Sequence, residues 1–378
     1  MSPDITVVAC LTAPGSSALA TVGVAGPNAW EVVRPFFQPR GRRVPRLGQE
    51  DQHWLGQFVS GDMKDDVVLT LTGTSPRQRV ELHCHGGRTV LRWVLDSLIA
   101  AGAVEVSWQT WIEYTAARRI HAFTEYALTQ AITLRTASLL LEQHNGLLES
   151  RLEQMVDAPS DEALRLADEL LAWSDFAQHL TQPWRVVIAG APNAGKSSLI
   201  NALLGYQRAI TADQPGTTRD VLSARTALDG WPVELIDTAG LRTPTDAIEA
   251  QGIALATATF KEADLVLWLA DLTNPLLPDR PLASRRHLLV GNKVDLVSPV
   301  PVWAACAVSA LTGQGLPELI QRLLMELIPV LPAPGTALPV HPALVRSLKT
   351  FRDALHEQKK AHLARAELRQ WLAPAFRP

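Results

Sequence analysis

One short segment limits the fold of this chain more than any other. Residues Gly190-Ala-Pro-Asn-Ala-Gly-Lys-Ser197 fit the pattern GxxxxGK[ST], between a strand-like run, Val186–Ala189, and a helix-like run, Ser198–Leu204. A loop in this context cradles phosphate, because its glycines let backbone N–H groups turn inward and the helix N-terminus adds partial positive charge. For a lone match, a Gly-rich turn before a helix is the alternative. The segment predicts an α/β domain with a phosphate-binding loop.

The side chains of this loop have separate predicted roles. Lys196 is expected to reach the outer phosphates of a nucleotide and to act in catalysis. Ser197 is expected to bind Mg²⁺, a hard cation that prefers oxygen ligands. Asn193 could help to bind a monovalent ion. The predicted nucleotide contacts in the loop are Asn193, Ala194, Gly195, Lys196, Ser197 and Ser198.

A second motif, Asp237-Thr-Ala-Gly240, follows the mostly apolar run Val233-Glu-Leu-Ile236. Asp237 is therefore expected at the carboxyl end of a strand, where open α/β sheets place ligand groups. Its predicted role is to hold the hydration shell of Mg²⁺, while the N–H of Gly240 meets the γ-phosphate. Thr217 and Thr218 lie between the two motifs, and we choose Thr218 to complete the Mg²⁺ shell.

Two further motifs, Asn292-Lys-Val-Asp295 and Ser309-Ala310, predict which base is bound. The Asp295 carboxylate can accept two hydrogen bonds from the N1 and N2 edge of guanine, whereas adenine offers no such pair. A site built around buried polar groups rejects a ligand that leaves them unpaired. Asn292 and Lys293 would brace the loop and the ring, and Ser309 and Ala310 would present backbone N–H groups to guanine O6. The four motifs in this order indicate a GTP site.

The residue that would act on water is not where Ras-type enzymes place it. Those enzymes have a glutamine directly after the DxxG glycine, and this chain has Leu241 there, which cannot orient water. The best candidate is Glu249, in the acidic stretch Asp246-Ala-Ile-Glu249; the alternative is a solvated surface charge. No arginine finger is identifiable, so the charge that develops in phosphoryl transfer needs another cation.

These segments resemble the tRNA-modifying GTPase family of the MnmE/TrmE type. The resemblance is strong in Gly190–Ser197, in Pro215-Gly-Thr-Thr-Arg-Asp-Val221 and in Asp237-Thr-Ala-Gly-Leu-Arg242. It extends to Ala9-Cys-Leu-Thr-Ala-Pro-Gly15 and to Glu81-Leu-His-Cys-His-Gly-Gly87 near the N-terminus. Most of the chain is thus covered.

The resemblance implies a K⁺-activated GTPase. It places Asn193 and Thr217 on K⁺, Ser197 and Thr218 on Mg²⁺, and Glu249 on the attacking water. It further implies a homodimer through the GTPase and N-terminal domains and a flavoprotein partner. With that partner, family members install an aminomethyl group on the wobble uridine of certain tRNAs, using a folate one-carbon donor.

Several positions depart from the family pattern. The chain ends Leu372-Ala-Pro-Ala-Phe-Arg-Pro378, without the C-terminal cysteine that modification needs in the family. The arginine that contacts folate falls on Gly23, the glutamate is kept as Glu81, and a basic position falls on Glu125. A carboxylate of the ligand would lose its partner there, which makes folate binding doubtful. The alternative function is a GTP-driven switch or assembly protein that kept the GTPase but lost folate and tRNA-modifying chemistry.

Length and motif positions predict about two or three domains. We expect an N-terminal folate-binding-like α/β (α+β) domain over 1–110 and a Ras-like P-loop GTPase domain over 184–330. Helical segments over 111–183 and 331–378 flank the GTPase domain, which would make it an insertion into a helical domain.

Composition excludes some classes of protein. The chain is 47% hydrophobic and 19% charged, which is ordinary for a globular protein. With no apolar run near 18 residues and no signal segment, we expect a cytoplasmic protein that does not enter a membrane. A net charge of −3 gives no general attraction to nucleic acid. The local basic residues favour a solvated surface over a binding patch: Arg40, Arg42, Arg43, Arg46, Lys359 and Lys360.

The sequence His83-Cys84-His85 has two interpretations. A metal site is one, but side chains of a strand alternate between faces, so Cys84 would point away from both histidines. Two ligands on one face are too few for a structural zinc site. A strand that leads into the Gly86-Gly87 turn is the preferred interpretation.

Overall fold

A computed structural model of the chain describes residues 5–15, 17–41, 45, 53–73, 78–206, 223–237, 260–278, 286–357 and 361–375. The chain divides into two compact units. One comprises Met1–Tyr126, Glu149–Leu164 and Ser347–Pro378, and the other Ala127–Leu148 and Arg165–Arg346. The four sequence segments predicted above, with boundaries at 110, 183 and 330, remain a prediction.

The first unit contains a seven-stranded sheet. Its strands lie in the order β3-β4-β5-β6-β2-β1-β7, and neighbours are antiparallel except for β1 and β7. The strands are β1 Val7–Cys10, β2 Leu19–Gly26, β3 Phe37–Pro39, β4 His53–Ser60, β5 Met63–Thr72, β6 Gln78–His85 and β7 Val104–Glu105. Buried and partly exposed residues alternate along β6, because its successive side chains point to opposite faces.

Helices cover both faces of this sheet. Helices α1 (Ala29–Val33) and α2 (Arg88–Ala100) pack on one face, in the larger apolar core. Helix α3 (Trp108–Thr115) packs on the other face, where Trp111 and Ile112 meet Val7, Ala9 and Ala25. The Ser107 hydroxyl caps α3 by accepting a hydrogen bond from the N–H of Thr110 at 3.1 Å.

Further helices follow along the chain: α4 Arg119–Thr129, α5 Leu134–Glu142, α6 Leu148–Asp157, α7 Ser160–Ala172 and α8 Ser174–Gln178, with a π-helical segment over Gln143–Leu147. Thr133 and Thr136 form a capping box at the start of α5. Gly146, at φ 102°, interrupts the helical backbone inside this segment, in a conformation that favours glycine.

The last helices of the chain return to the first unit. After α9 (Lys196–Tyr206) and α10 (Leu316–Leu327) come α11 (Pro342–His356) and α12 (Ala361–Leu372). Within the first unit, Arg365 on α12 donates to the carbonyl oxygen of Val156 at 2.6 Å, and Trp371 packs against Phe123 with ring centroids 4.8 Å apart. Residues far apart in sequence therefore pack together in the first unit, and the chain between Arg165 and Arg346 belongs to the second.

The second unit contains a six-stranded sheet in the order β13-β12-β11-β8-β10-β9. The strands are β8 Trp184–Ala189, β9 Ser223–Leu228, β10 Trp231–Asp237, β11 Leu265–Asp271, β12 His287–Asn292 and β13 Cys306–Val308. All neighbours are parallel except β9 and β10. The inner strands are almost continuously buried, as in parallel sheets covered on both faces. Their carboxyl ends meet at one edge of the sheet.

The hairpin of β9 and β10 is held at its turn by Arg135 of α5. Arg135 Nη1 donates to the carbonyl oxygen of Asp229 at 2.7 Å and to its carboxylate at 2.9 Å. The same guanidinium lies over the ring of Trp231, 5.1 Å from the centroid. Trp231 also meets Phe176 of α8 edge to face. Side chains of two helices therefore fix this turn.

Candidate nucleotide-binding site

The predicted phosphate loop joins β8 to α9 at the carboxyl edge of the six-stranded sheet. Gly195 has φ 92°, and a Cβ atom there would collide with the side-chain amide of Asn292, so only glycine fits. Asn193 is exposed and also left-handed, with φ 63°. The loop curls as the motif requires, before a helix N-terminus that favours anions.

Lys196 is the first residue of α9, and it is buried. Its Nζ donates to the carbonyl oxygens of Gly190 at 3.2 Å and Ala191 at 3.0 Å. The ammonium group thus lies within the curve of the loop whose N–H groups would meet phosphate. A buried cation at a helix N-terminus fits the charge of a nucleotide phosphate.

Ser197 and Asp237 provide two hard oxygen ligands side by side. The Ser197 hydroxyl donates to Asp237 Oδ2 at 2.6 Å, and Asp237 is only 2% exposed. Asp237 ends β10, which lies parallel to β8 with Asp237 opposite Ile188. This donor set fits Mg²⁺, which binds carboxylate and hydroxyl oxygens near phosphates.

Four predicted site residues lie outside the described part of the chain: Thr217, Thr218, Gly240 and Glu249. Their roles on Mg²⁺, K⁺, the γ-phosphate and water stay predictions. Ser198, also predicted to contact the nucleotide, is exposed in the first turn of α9, directly after Ser197.

Asn292 joins the phosphate loop to the base side of the site. It is 3% exposed; its Nδ2 donates to the carbonyl oxygen of Ala194 at 2.8 Å, and its Oδ1 accepts from the N–H of Ala310 at 3.0 Å. Both ends of the amide are therefore satisfied, which fixes its orientation. Asn292 therefore links the phosphate loop to the loop that contains Ala310, and its role toward a bound nucleotide stays a prediction.

The other base-side residues lie on the chain segments that follow β12 and β13. Asp295 is exposed in a short 3₁₀ helix, Val294–Leu296, where its carboxylate is open to solvent. Ser309 is fully buried; its N–H donates to the carbonyl oxygen of Gln314 and its hydroxyl accepts from the N–H of Thr312. Since the N–H groups of Ser309 and Ala310 both have partners in the chain, their contact with guanine O6 stays a prediction.

Asp271 belongs to this site and was missed by the sequence prediction. It is the last residue of β11, and Lys293 Nζ donates to its Oδ2. An acidic residue directly after the apolar run Leu265–Ala270 is the signal that could have found it. Asp237 stands in the same relation to the apolar run of β10.

The region of Gly23 and Glu81, where the resemblance implies folate contacts, differs from the family pattern. A Cβ atom at Gly23 would lie 2.8 Å from Leu11 Cδ1 and from ring atoms of Trp111, so no larger side chain fits there. The Glu81 carboxylate accepts from Arg79 Nη2 at 2.7 Å, and the Arg79 guanidinium stacks on Trp111 at 4.3 Å from the ring centroid. The residues present therefore do not fit the folate contacts that the resemblance implies.

The histidine and cysteine segment forms strand β6. Cys84 is buried in the core, and burial raises the pKa of its thiol to about 11. On the other face, His83 Nδ1 lies 3.0 Å from the Thr21 hydroxyl, and His85 pairs with Asp65. In the described residues, no three His, Cys, Asp or Glu side chains are grouped to hold a metal ion.

Two protein families match separate parts of the chain. The family described as 50S ribosome-binding GTPase matches residues 185–293, and the family described as the N-terminus of the GTP-binding protein TrmE matches residues 6–107. In the parts of the chain that the structure describes, no helix has the length and apolarity to cross a bilayer.

Curated relatives match most of the chain. The tRNA modification GTPase MnmE of Synechococcus sp. (strain RCC307) is 33% identical over 365 residues, covering 85% of this chain and 80% of the relative. The protein of the same name from Chlamydia trachomatis serovar A is 33% identical over 366 residues, covering 84% and 80%. Among solved structures, the G domain of the T. maritima FeoB iron transporter is 27% identical and covers 38% of this chain, with a TM-score of 0.31. The 33% identity to the two MnmE proteins over most of both chains, together with the two family matches, establishes that the chain is a GTPase of the tRNA-modifying MnmE/TrmE family.

Proposed function

We propose that this chain is a K⁺-activated GTPase that takes part in modification of the wobble uridine of tRNA. The observation that carries the proposal is the Ser197–Asp237 pair beside the buried Lys196, at the carboxyl edge of the sheet. The names of the relatives, which describe tRNA modification GTPases, support the substrate class.

The residues of the chain divide the work of phosphoryl transfer. Lys196 neutralises charge on the outer phosphates, and the N–H groups of the loop and of Gly240 hold the phosphate oxygens. Ser197, Asp237 and Thr218 hold Mg²⁺, which when bound neutralises charge that develops on the phosphates. Glu249 orients the attacking water, a role that Leu241 cannot fill.

Guanine selection belongs to the base-side residues. Asp295 accepts from the N1 and N2 edge of the base, and its exposed carboxylate supports this role. Asn292 keeps the phosphate loop and the base-side loop in fixed register through its two hydrogen bonds. The residues that bind the nucleotide are thereby arranged before it arrives, which lowers the entropic cost of association.

K⁺ activation is assigned to Asn193 and Thr217. The support in the structure is the position of Asn193, exposed at the tip of the phosphate loop with a left-handed backbone. A monovalent cation there would supply the positive charge that an arginine finger supplies in other GTPases. The dimer, formed through the GTPase and N-terminal domains, and the flavoprotein partner are part of the same proposal.

GTP turnover of the purified protein in KCl and in NaCl at equal ionic strength tests this function. We expect strong stimulation by K⁺, lost in the Asn193→Ala variant while GTP binding remains. Equal, slow turnover in both salts would contradict K⁺ activation. The Glu249→Ala variant should bind GTP and fail to hydrolyse it, and retained turnover would remove Glu249 from its role.

A second function is favoured by the N-terminal domain. Trp111 fills the space beside Gly23, and Arg79 forms an ion pair with the Glu81 carboxylate. These contacts support a GTP-driven switch or assembly protein that lost folate and tRNA-modifying chemistry. Deletion of the gene, in a cell without a second family copy, followed by measurement of modified wobble uridine distinguishes the two: a loss supports modification, and unchanged levels support the switch.

A further inference from the structure

Asp271 lies where two parallel strands deliver residues to the same edge of the sheet. It ends β11 and stands opposite Asn292, which ends β12. The N–H of Leu272 then donates to the carbonyl oxygen of Asn292 at 2.9 Å, which keeps the two chain ends together. Asp271 is thus beside the base-side motif although 22 residues separate it from Lys293.

The carboxylate of Asp271 is engaged through both oxygens. Oδ1 accepts from the N–H of Thr273 at 2.9 Å and from its hydroxyl at 2.6 Å, and Oδ2 accepts from Lys293 Nζ. Burial alone would raise the pKa of Asp271, but the hydrogen bonds from Lys293 and Thr273 outweigh it and hold the pKa below its usual range. The group is a fixed anion.

Lys293 is held at both ends. Its backbone has φ 67°, a left-handed conformation that is uncommon for a residue with a side chain and that persists where the surroundings impose it. Its ammonium group is bound to Asp271, while the side chain is still 36% exposed. A lysine normally keeps large rotamer freedom. Here the backbone conformation and the contact of the ammonium group restrict the side chain at both of its ends.

We propose that Asp271 is a positioning residue for the guanine nucleotide: it holds the ammonium group of Lys293 in place, so that the lysine methylenes are ordered beforehand as one wall of the base site. The proposal rests on the predicted contact of Lys293 with the bound nucleotide. Because the side chain is ordered beforehand, the ligand does not bear the entropic cost of ordering it. Asp271 therefore acts on affinity through Lys293.

A double-mutant cycle on the full chain tests this coupling, with the dissociation constant of a fluorescent GDP analogue as readout. Asp271→Ala should weaken binding about fivefold to tenfold, the range expected from freeing one rotamer-rich side chain. In a Lys293→Ala background the same change should have no further effect. An equal loss in both backgrounds, or no loss in the single variant, would overturn the proposal.

Two more variants separate positioning from a structural role. Thr273→Val removes one hydrogen bond to Oδ1 and leaves the Lys293 contact, so binding should stay within about twofold of wild type. Asp271→Asn keeps an acceptor for Thr273 and removes the charge, which serves if Asp271→Ala does not fold. At steady state the Asp271 variants should raise KM and leave kcat unchanged; a fall in kcat alone would contradict positioning.

The Lys293→Ala variant alone keeps the two proposals distinguishable. If it binds the analogue as tightly as wild type, the predicted role of Lys293 in the base site is wrong, and the role of Asp271 falls with it. If Lys293→Ala weakens binding and Asp271→Ala does not, only the role of Asp271 is wrong.

Discussion

The nucleotide site and the region around Glu81 use glycine in opposite ways. At Gly195 the missing side chain leaves room for the Asn292 amide, which hydrogen-bonds the loop backbone. At Gly23 the missing side chain leaves room for Leu11 and Trp111, which fill the space with apolar atoms. Gly195 thus permits a polar contact within the nucleotide site, and Gly23 permits close apolar packing in the core.

The charged groups of the two regions also differ in the partners that they have. Lys196 is buried at the start of α9, and its ammonium group donates to the carbonyl oxygens of Gly190 and Ala191 in the phosphate loop. Glu81 is matched by Arg79, whose guanidinium also stacks on Trp111. A carboxylate that is already paired offers less to a charged ligand. The phosphate loop therefore places a cation where an anionic ligand would bind, whereas the Glu81 carboxylate is already paired with a cation of the same chain.

The largest expected effect is at Lys196. Lys196→Ala removes the cation that meets the outer phosphates, so we expect a loss of GTP turnover of about 10³-fold or more. Turnover under saturating Mg²⁺ and K⁺ checks this, with the melting temperature as a control for folding. Turnover within tenfold of wild type would show that another cation replaces Lys196.

The second effect concerns base selection. Asp295→Asn removes a charged acceptor for the guanine edge, and hydrogen bonds to charged groups contribute about 1.5–3 kcal/mol each. We expect GTP affinity to fall about a hundredfold or more and the affinity for xanthosine triphosphate to rise, because xanthine has an oxygen in place of the 2-amino group. Competition binding with both nucleotides measures this. Unchanged discrimination would contradict the predicted role of Asp295.

The third effect tests the closed core. Gly23→Ala places a methyl group 2.8 Å from Leu11 and Trp111, and overpacking of this kind costs about 1–3 kcal/mol of unfolding free energy. Gly41→Ala is the matched control, because no atom of the described residues lies within 4 Å of the position its Cβ would take. Thermal unfolding should distinguish the two variants while GTP turnover stays the same in both. Equal stability would mean that the space beside Gly23 can open.

The smallest expected effect is that of folate on the wild-type chain. Because Trp111 and Arg79 occupy the contacts implied for folate, a reduced folate at millimolar concentration should leave the melting temperature unchanged, whereas GDP with Mg²⁺ should raise it. Isothermal titration provides a second readout. Saturable folate binding would show that the Glu81 region is a ligand site like the nucleotide site.

The sequence was most informative where motifs are local. The loop from Gly190 to Ser197 is read from eight adjacent residues, and strand ends such as Asp237 follow from apolar runs. The contacts that it did not predict join distant positions: Asp271 to Lys293, and Gly23 to Trp111. Such pairs depend on how strands and helices pack, and neither periodicity nor a short motif records that.

The hairpin of β9 and β10 has a mechanical consequence. Its strands pair over six residue positions, from Trp231 opposite Leu228 to Ile236 opposite Ser223. At a rise of about 3.4 Å per residue, the paired part of the hairpin is roughly 20 Å long. One end carries Asp237, and the other is clamped by Arg135. Because β10 is paired with β8 on its other side, with Asp237 opposite Ile188, a shift of Asp237 along the strand axis would have to break both that pairing and the hold of α5 on the far end of the hairpin.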